Sequence, residues 1–308
     1  MAEVFLRTLP FFGLIGLGWL AAALRFFPEA GAAWLTRFVF YFALSAMLFR
    51  FAAGLDLGEL FELRFALAYL LGTSVVWVIG VAVARARGLG VPEAVMEAHC
   101  CMIGNTGFLG VPLLIALMGP VAVGPVLMVL TIDMLVFSTL ITLIIHGVRN
   151  GGLRLAALLP VLRGIAGNPM ILSMVAGLGW SAAGAPMPQP LDEFLALLGA
   201  AATPGALFAI GAGLAGRKLV RVAAAGWLSG AKLVLHPAAV WLAALAMGVG
   251  QVPASVMVAA AALPVAGNTY MLAQHFRVAP QRVSAAILIS TALSILTIPV
   301  VMTLITVN

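Results

Sequence analysis

Charged side chains are scarce in this chain. Asp, Glu, Lys and Arg make up 8% of its 308 residues, whereas hydrophobic residues make up 64%. A soluble globular domain carries roughly 25% charged residues. Because this inventory cannot cover a water-facing surface with polar groups, the composition excludes a cytosolic enzyme, a secreted disulfide scaffold and a disordered regulator. The mean hydropathy of +1.17 indicates a membrane protein without a separate soluble domain.

The chain also lacks the usual patterns of metal, redox and hydrolytic chemistry. Its two cysteines, Cys100 and Cys101, are adjacent, and no Cys–His spacing typical of a metal site is present. His99 precedes them, but no second ligand cluster accompanies it. Paired acids, a Ser–His arrangement and an H-E-x-x-H motif are all missing. We therefore expect no metal site, no resident cofactor and no enzymatic activity.

Long basic runs are absent as well, although the net charge is +6. The longest basic run is Arg217-Lys218, so the excess of positive charge does not indicate a nucleic-acid partner. In membrane proteins Lys and Arg collect in cytoplasmic loops. The net charge is therefore expected to report membrane topology.

What the chain has is a series of apolar segments separated by Gly, Pro or charge. A transmembrane helix needs about 20 apolar residues. The pattern predicts an all-α polytopic membrane protein with ten spans, of which the sixth is short and the fourth and ninth are interrupted by Gly and Pro. The predicted spans are 4–24, 33–53, 65–84, 94–118, 121–146, 168–184, 194–215, 222–248, 253–275 and 283–307.

The basic residues orient these spans. Twelve of the 16 Lys and Arg residues lie in or beside the loops that follow the odd-numbered spans, and three, Arg7, Arg50 and Arg64, lie on the opposite side. The positive-inside rule then places the odd-numbered loops in the cytoplasm and both termini on the outer side.

An internal repeat follows from a tripeptide that occurs twice. Gly104-Asn105-Thr106 lies midway along the fourth span, and Gly267-Asn268-Thr269 lies midway along the ninth, 163 residues later. The same offset carries the start of the first span onto the start of the sixth. Because five spans reverse the direction of the sixth, the two halves are predicted to be inverted: residues 1–148, a cytoplasmic linker at 149–166, and residues 167–308.

Both tripeptides lie where a helix is expected to break. Gly is flexible, and Pro removes a backbone donor. An unwound segment cannot face lipid, and paired broken helices in an inverted repeat indicate a transport site at the membrane midplane. Half-helix N-termini there suit a carboxylate. The candidate substrate-binding residues are Asn105, Thr106, Gly107, Pro112, Pro264, Gly267, Asn268 and Thr269.

Two charged residues, Asp133 and Lys232, are expected deep in the membrane, each near the middle of its span. Ionisable groups there are costly and mark functional sites by default. The two could form a pair that changes charge during transport, with Asp133 as the proton carrier, or a permanent structural salt bridge; Lys232 could also extend to a polar cavity. A single buried acid favours H+ as the coupling ion, or simple movement driven by the membrane potential, over coupling to Na+. Arg50 is expected to reach the outer interface or to attract anions there.

The two broken segments resemble motifs of the auxin efflux carrier family, which includes plant auxin carriers and bacterial permeases for malonate, malate and related acids. Residues 105–114 are similar to the motif in the family's fourth helix, and residues 262–280 to the motif in its ninth. Residues 203–211 resemble its seventh helix, and Lys232 with Pro237 resembles its eighth. The likeness runs over essentially the whole chain.

The resemblance implies a five-plus-five inverted repeat with crossed, broken fourth and ninth helices, as in bile-acid symporters and sodium/proton antiporters. It also implies a scaffold of helices 1, 2, 6 and 7, a transport domain of helices 3–5 and 8–10, elevator-type alternating access, and a homodimer through the scaffold. Asn105 and Pro112 match the family's crossover Asn and Pro, and Pro264 matches the Pro that opens the ninth-helix break. Thr269 stands where plant carriers have a second Pro, and the loop at about 147–167 is shorter than theirs. Both differences favour the branch of bacterial organic-acid permeases in the inner membrane.

The function expected from these features is secondary active transport of a small mono- or dicarboxylate, malonate-like, malate-like or auxin-like. The alternatives are a cation/proton antiporter of related fold, an intramembrane enzyme and a channel. The antiporter usually has paired intramembrane acids, where this chain offers Asp133 alone. The enzyme lacks its catalytic motif, and a channel gives no reason for two matched helix breaks.

Overall fold

A computed structural model describes residues 2–55, 62–149, 166–217 and 219–306. The secondary structure of these residues is helical, which confirms the all-α prediction for this part of the chain. Most of the predicted linker at 149–166 lies outside the described residues, as does Lys218.

Seven helices are long and apolar enough to cross a membrane, and they correspond to seven of the ten predicted spans. We number the helices in chain order. The seven long helices are α1 (Ala2–Ala23), α2 (Glu29–Ala53), α3 (Leu63–Ala86), α6 (Pro120–Arg149), α8 (Gln189–Leu214), α9 (Val222–Met247) and α12 (Pro280–Thr306).

The other three predicted spans are built from shorter helices. The fourth span is divided into two helices by an interval at 103–105, and the ninth is divided in the same way by an interval at 262–266. The sixth span is a single helix of 14 residues. A total of ten crossings therefore stays a prediction. These shorter helices are α4 (Val91–Met102), α5 (Thr106–Met118), α7 (Pro169–Ala182), α10 (Gln251–Ala261) and α11 (Gly267–His275).

Glycines let several of these helices pack backbone against backbone. At Gly211 in α8, a Cβ atom would collide with the carbonyl oxygen of Ile15 in α1, and Gly18 in α1 faces Phe208 in the same way. At Gly72 in α3, a Cβ atom would lie 2.7 Å from the Cα of Val240 in α9. Small residues at such positions are typical of helix contacts in membranes.

In the part of the chain that the structure describes, four π-helical turns occur, and hydrophobic periodicity does not predict them. Two carry the buried charges: Asp133 begins the turn in α6, and Lys232 is the second residue of the turn in α9. A third begins at Thr106, directly after the break in the fourth span. Single π turns frequently lie at functional sites. The fourth, at Val39–Ala43, lies in α2.

Glu97 is buried inside the protein, as Asp133 and Lys232 are, although its partners lie at helix ends next to the loops. Glu97 in α4 is 1% exposed and forms salt bridges with Arg87 and with Arg282, whose Nη1 lies 2.5 Å from Oε1. The two arginines reach it from the end of α3 and the start of α12. Sorting charges by loop could not reveal this cluster, because its members are brought together only by the tertiary fold.

Arg50 also has a partner that the sequence did not suggest. Its guanidinium makes two hydrogen bonds to Asp192 of α8, from Nε to Oδ1 at 2.6 Å and from Nη2 to Oδ2 at 3.1 Å. Both side chains are about 40% exposed and line a cavity of 450 Å³ beside Trp180 and Met187. None of the candidate substrate-binding residues lines this cavity.

Candidate functional site

The two broken segments meet and pair through their backbones. The N–H of Asn105 donates to the carbonyl oxygen of Pro264 at 2.8 Å, and the N–H of Ala266 donates to that of Ile103 at 3.1 Å. Between these bonds, Gly104 and Val265 form a short antiparallel bridge. Each break therefore satisfies backbone groups that the other leaves open, which an interior segment away from water requires. We call this pairing of residues 103–105 with 264–266 the crossover.

Helix ends converge on the crossover from both segments. α4 and α10 end there with C-terminal carbonyls, and α5 and α11 begin there with N–H groups. The first N–H groups of a helix have no acceptor within it, and the dipole makes that end positive. At α5 the next two N–H groups, of Leu109 and Gly110, both donate to the carbonyl oxygen of Asn105. The starts of α5 and α11 are thus donor sites suited to an anion.

Candidate side chains at these two starts have polar atoms that the protein does not use. The amide of Asn105, which is 8% exposed, makes no hydrogen bond among the described residues. In α11, the Oδ1 of Asn268 and the Oγ1 of fully buried Thr269 are enclosed without a partner. The hydroxyl of Thr106 makes a long contact of 3.5 Å with the Gly104 carbonyl. Buried polar atoms normally find partners, so these exceptions indicate a place for a ligand.

The other candidates shape the crossover. Pro112 and Pro264 are buried, and Gly267 is exposed, with space around it. At Gly107, a Cβ atom would lie 3.0 Å from the terminal methyl of Met170 in α7. Among the eight candidates, the structure brings Asn105 and Pro264 into direct contact and places Thr106, Gly267, Asn268 and Thr269 in the two helix starts.

Ser290 was not among the candidates, but it supports the crossover. Its hydroxyl accepts a hydrogen bond from the Val265 N–H at 3.0 Å and donates to the carbonyl oxygen of Ile287 at 3.2 Å. A fully buried serine within the apolar α12 is the signal that could have identified it.

Lys232 lies directly behind the crossover. Its Nζ donates to the carbonyl oxygen of Ala261, at the C-terminal end of α10, and contacts Nδ1 of His236 at 3.2 Å. A Cβ atom on Gly104 would be 3.3 Å from Nζ. The ammonium is fully buried, so it faces the crossover without reaching the surface. The Lys232 amino group thus lies within a few ångströms of the ninth-span break.

Asp133 lies near this group but is not its direct partner. The Tyr69 hydroxyl donates to Oδ1 of Asp133 at 2.8 Å, while Oδ2 is buried without a partner. No salt bridge joins Asp133 to Lys232 among the described residues; the ring of Tyr69 lies 6.0 Å from that of His236, which contacts Lys232. Tyr69 and His236 were missed because neither lies in a recognisable motif.

His99 and the two cysteines lie in α4 before the crossover. All three are buried, and both ring nitrogens of His99 lack a partner. Within the described ranges, no group of three or more His, Cys, Asp or Glu side chains is placed to hold a metal ion.

The comparisons with known proteins cover the whole chain. A family model described as "Membrane transport protein" matches residues 3–302. A protein of Rhizobium meliloti (strain 1021) named "Putative malonate transporter" is 36% identical over 302 residues, which make up 97% of this chain and 94% of that protein.

Proposed function

Because the chain belongs to the auxin efflux carrier family of membrane transport proteins, we propose that it is a secondary active transporter of a small organic anion. The substrate class is a mono- or dicarboxylate, and malonate is the first compound to test because the relative's name contains it. The binding site is the crossover.

One observation carries this assignment. Two helix starts meet at the crossover, and the unpartnered polar atoms of Asn268 and Thr269 lie at one of them. Backbone N–H groups and amides can bind a carboxylate without a neighbouring arginine. Such a site binds the anion firmly enough to select it and weakly enough to release it.

Two contacts support the inverted repeat. Ile103 and Ala266, which share a backbone hydrogen bond, are 163 residues apart, the offset between the two Gly-Asn-Thr tripeptides. Thr73 and His236, joined by a side-chain contact of 3.1 Å, are also 163 residues apart. When a two-fold axis relates two halves, a residue can contact its own equivalent only on that axis. Both contacts fit an axis passing through the crossover and the α3–α9 interface.

The repeat supplies the architecture of the proposal. Ten spans form two inverted sets of five, in residues 1–148 and 167–308. The scaffold comprises α1, α2, α7 and α8, and the transport body comprises α3–α6 and α9–α12. The transport body moves past the scaffold in an elevator-type cycle, and two copies associate through their scaffolds. The protein lies in the bacterial inner membrane with both termini outside.

Asp133 and Lys232 couple the anion to a proton in this proposal. When Asp133 is protonated, the Lys232 charge is uncompensated and attracts an anion to the crossover. When Asp133 is ionised, it offsets that charge and the anion is released. The 2.8 Å hydrogen bond from Tyr69 holds the Asp133 carboxyl in the position from which it can offset the Lys232 charge. The outcome is symport of H+ with the carboxylate.

Uptake into proteoliposomes tests the function. Labelled malonate, malate and an auxin-like acid are offered with and without an inward proton gradient, and accumulation of at least one supports the proposal. Asp133→Asn should remove the pH dependence of uptake while binding persists. Cation-driven proton flux without any organic acid would favour the cation/proton antiporter. Unchanged pH dependence in the Asp133→Asn protein would exclude Asp133 as the proton carrier.

A further inference from the structure

A buried chain of hydrogen bonds connects Lys232 to the core of the α3–α9 interface. His236 Nδ1 contacts Lys232 Nζ at 3.2 Å, and His236 Nε2 contacts Thr73 Oγ1 at 3.1 Å. All three side chains are fully buried. The chain therefore runs from α3 through α9 to the Ala261 carbonyl at the end of α10. The proposed transport cycle assigns no role to Thr73 or His236.

Hydrogen-bond chemistry allows one arrangement of this chain when Lys232 is charged. An ammonium can only donate, so Nδ1 of His236 must accept. In a neutral imidazole the other nitrogen, Nε2, then carries the hydrogen and donates to the Thr73 hydroxyl. The ammonium thus fixes the tautomer, and the threonine hydroxyl, by accepting from Nε2, anchors the ring in the orientation that presents Nδ1 to the lysine. The opposite tautomer would direct an N–H at the ammonium.

These hydrogen bonds hold the Lys232 ammonium in one defined position. Two of the three ammonium donors are used, by Ala261 and His236, and the ammonium lies against Gly104 at the crossover. The Ala261 carbonyl belongs to a helix C-terminus, whose partial negative charge favours a cation there. The charge acts on a bound anion through the thin backbone of Gly104, in surroundings where charges are weakly screened.

We infer that Thr73 and His236 are positioning residues that hold the Lys232 ammonium behind the crossover and thereby set the affinity for the carboxylate. Neither contacts the anion. Tyr69 and Asp133 face the same group from α3 and α6, with the Tyr69 ring 6.0 Å from that of His236, but neither makes a hydrogen bond to His236. This inference rests on the proposed function, because it assumes an anion at the crossover.

Thr73→Val tests the inference, because valine keeps the shape of threonine and removes the hydroxyl. We expect the KM for malonate to rise about fivefold, the loss typical of one hydrogen bond between neutral groups, with kcat changed less than twofold. Thr73→Ser, which keeps the hydroxyl, should restore the KM. Thr297→Val is the matched control, since Thr297 of α12 is half-buried and its enclosed hydroxyl has no partner among the described residues, and its KM should be that of the wild type.

A double-variant cycle supplies a second readout. His236→Leu should raise the KM at least as much as Thr73→Val, and the double variant should be no worse than His236→Leu alone, because both substitutions break one chain. A wild-type KM in Thr73→Val, or additive effects in the cycle, overturns the inference and leaves the transporter assignment intact. Absence of carboxylate uptake by the wild type overturns both.

Discussion

Two asparagine side chains lie at the crossover with polar atoms that the protein itself does not use. Asn268 Oδ1 is enclosed without a partner, and the Asn105 amide is unbonded among the described residues. In the proposed inverted repeat the two are equivalent, and a carboxylate bound at the proposed site would receive one amide from each half. At the scale of single residues, loss of these two amides should weaken substrate binding most directly.

Asn105→Ala and Asn268→Ala should each raise the KM for the transported acid about tenfold. A hydrogen bond to a charged group contributes about 1.5–3 kcal/mol, and 1.4 kcal/mol corresponds to tenfold. Initial-rate uptake in proteoliposomes measures the effect. Asn168→Ala is the control: its side chain accepts from the Met170 N–H at the start of α7, so stability should fall by about 1 kcal/mol while the KM holds. Wild-type KM values in both crossover variants would remove the crossover as the binding site.

The buried acid Glu97 predicts a stability effect. It is 1% exposed and serves two arginines, Arg87 and Arg282. Glu97→Gln should therefore destabilise the protein by up to about 3 kcal/mol, because it leaves the largely buried Arg282 guanidinium without its carboxylate, whereas Arg87, which is 36% exposed, is partly compensated by solvent. Thermal unfolding in detergent measures the loss.

The matched comparison for Glu97→Gln is Asp192→Asn, which breaks the half-exposed pair with Arg50. Exposed pairs are screened by solvent, so its melting temperature should fall much less. Equal falls in melting temperature in the two variants would show that the burial of Glu97 adds nothing to the stability that its ion pairs provide.

At the scale of helices, the α1–α8 contact depends on the absence of a side chain at one position. A Cβ atom on Gly211 would overlap the Ile15 carbonyl oxygen, whereas a Cβ atom on Gly213 meets nothing within 4 Å. Gly211→Ala should destabilise the protein by about 1–3 kcal/mol through overpacking, and Gly213→Ala should leave it nearly unchanged. Thermal unfolding of the two variants in detergent measures both effects. Similar melting temperatures for the two variants would mean that α1 does not pack on α8 as described.

The helix breaks could be predicted from the sequence, because Gly and Pro act on the backbone next to them. Gly104 and Pro264 lie in or beside intervals that the structure leaves non-helical. The seven long helices could be predicted for a similar reason, since an apolar run of sufficient length needs no partner to be recognised.

Tertiary partners could not be predicted in this way. Lys232 was recognised as a buried charge, but its bonds to His236 and to the Ala261 carbonyl depend on how α9 packs on α10. A pair of Asp133 with Lys232 is one of the arrangements that the sequence allows, whereas in the structure Asp133 bonds to Tyr69 of α3. Spacing along one chain gives the depth of a residue in its helix, whereas its rotation towards a neighbour is set by packing.

At the scale of the whole molecule, the two groups of salt bridges each lie within one of the proposed bodies. The Glu97 cluster joins the end of α3, α4 and α12, all in the proposed transport body. The Arg50–Asp192 pair joins α2 and α8 in the proposed scaffold. Arg217 crosses between the bodies: it follows α8, donates from Nη1 to Ser284 Oγ of α12 at 3.0 Å, and lies 4.4 Å above the ring of Tyr270 in α11.

An elevator cycle requires contacts of this last kind to break in every turnover, whereas contacts within a body persist. In a chain with Cys100 and Cys101 replaced by Ala, a cysteine pair at Arg217 and Ser284 joined by a short bis-maleimide should therefore abolish uptake. The same reagent on a pair at Arg50 and Asp192 joins the scaffold to itself, so uptake should persist. Mass spectrometry establishes that each cross-link has formed, and labelled acid measures transport. Full uptake by the chain cross-linked at Arg217 and Ser284 would mean that α8 and α12 move together, which is incompatible with the proposed division into scaffold and transport body.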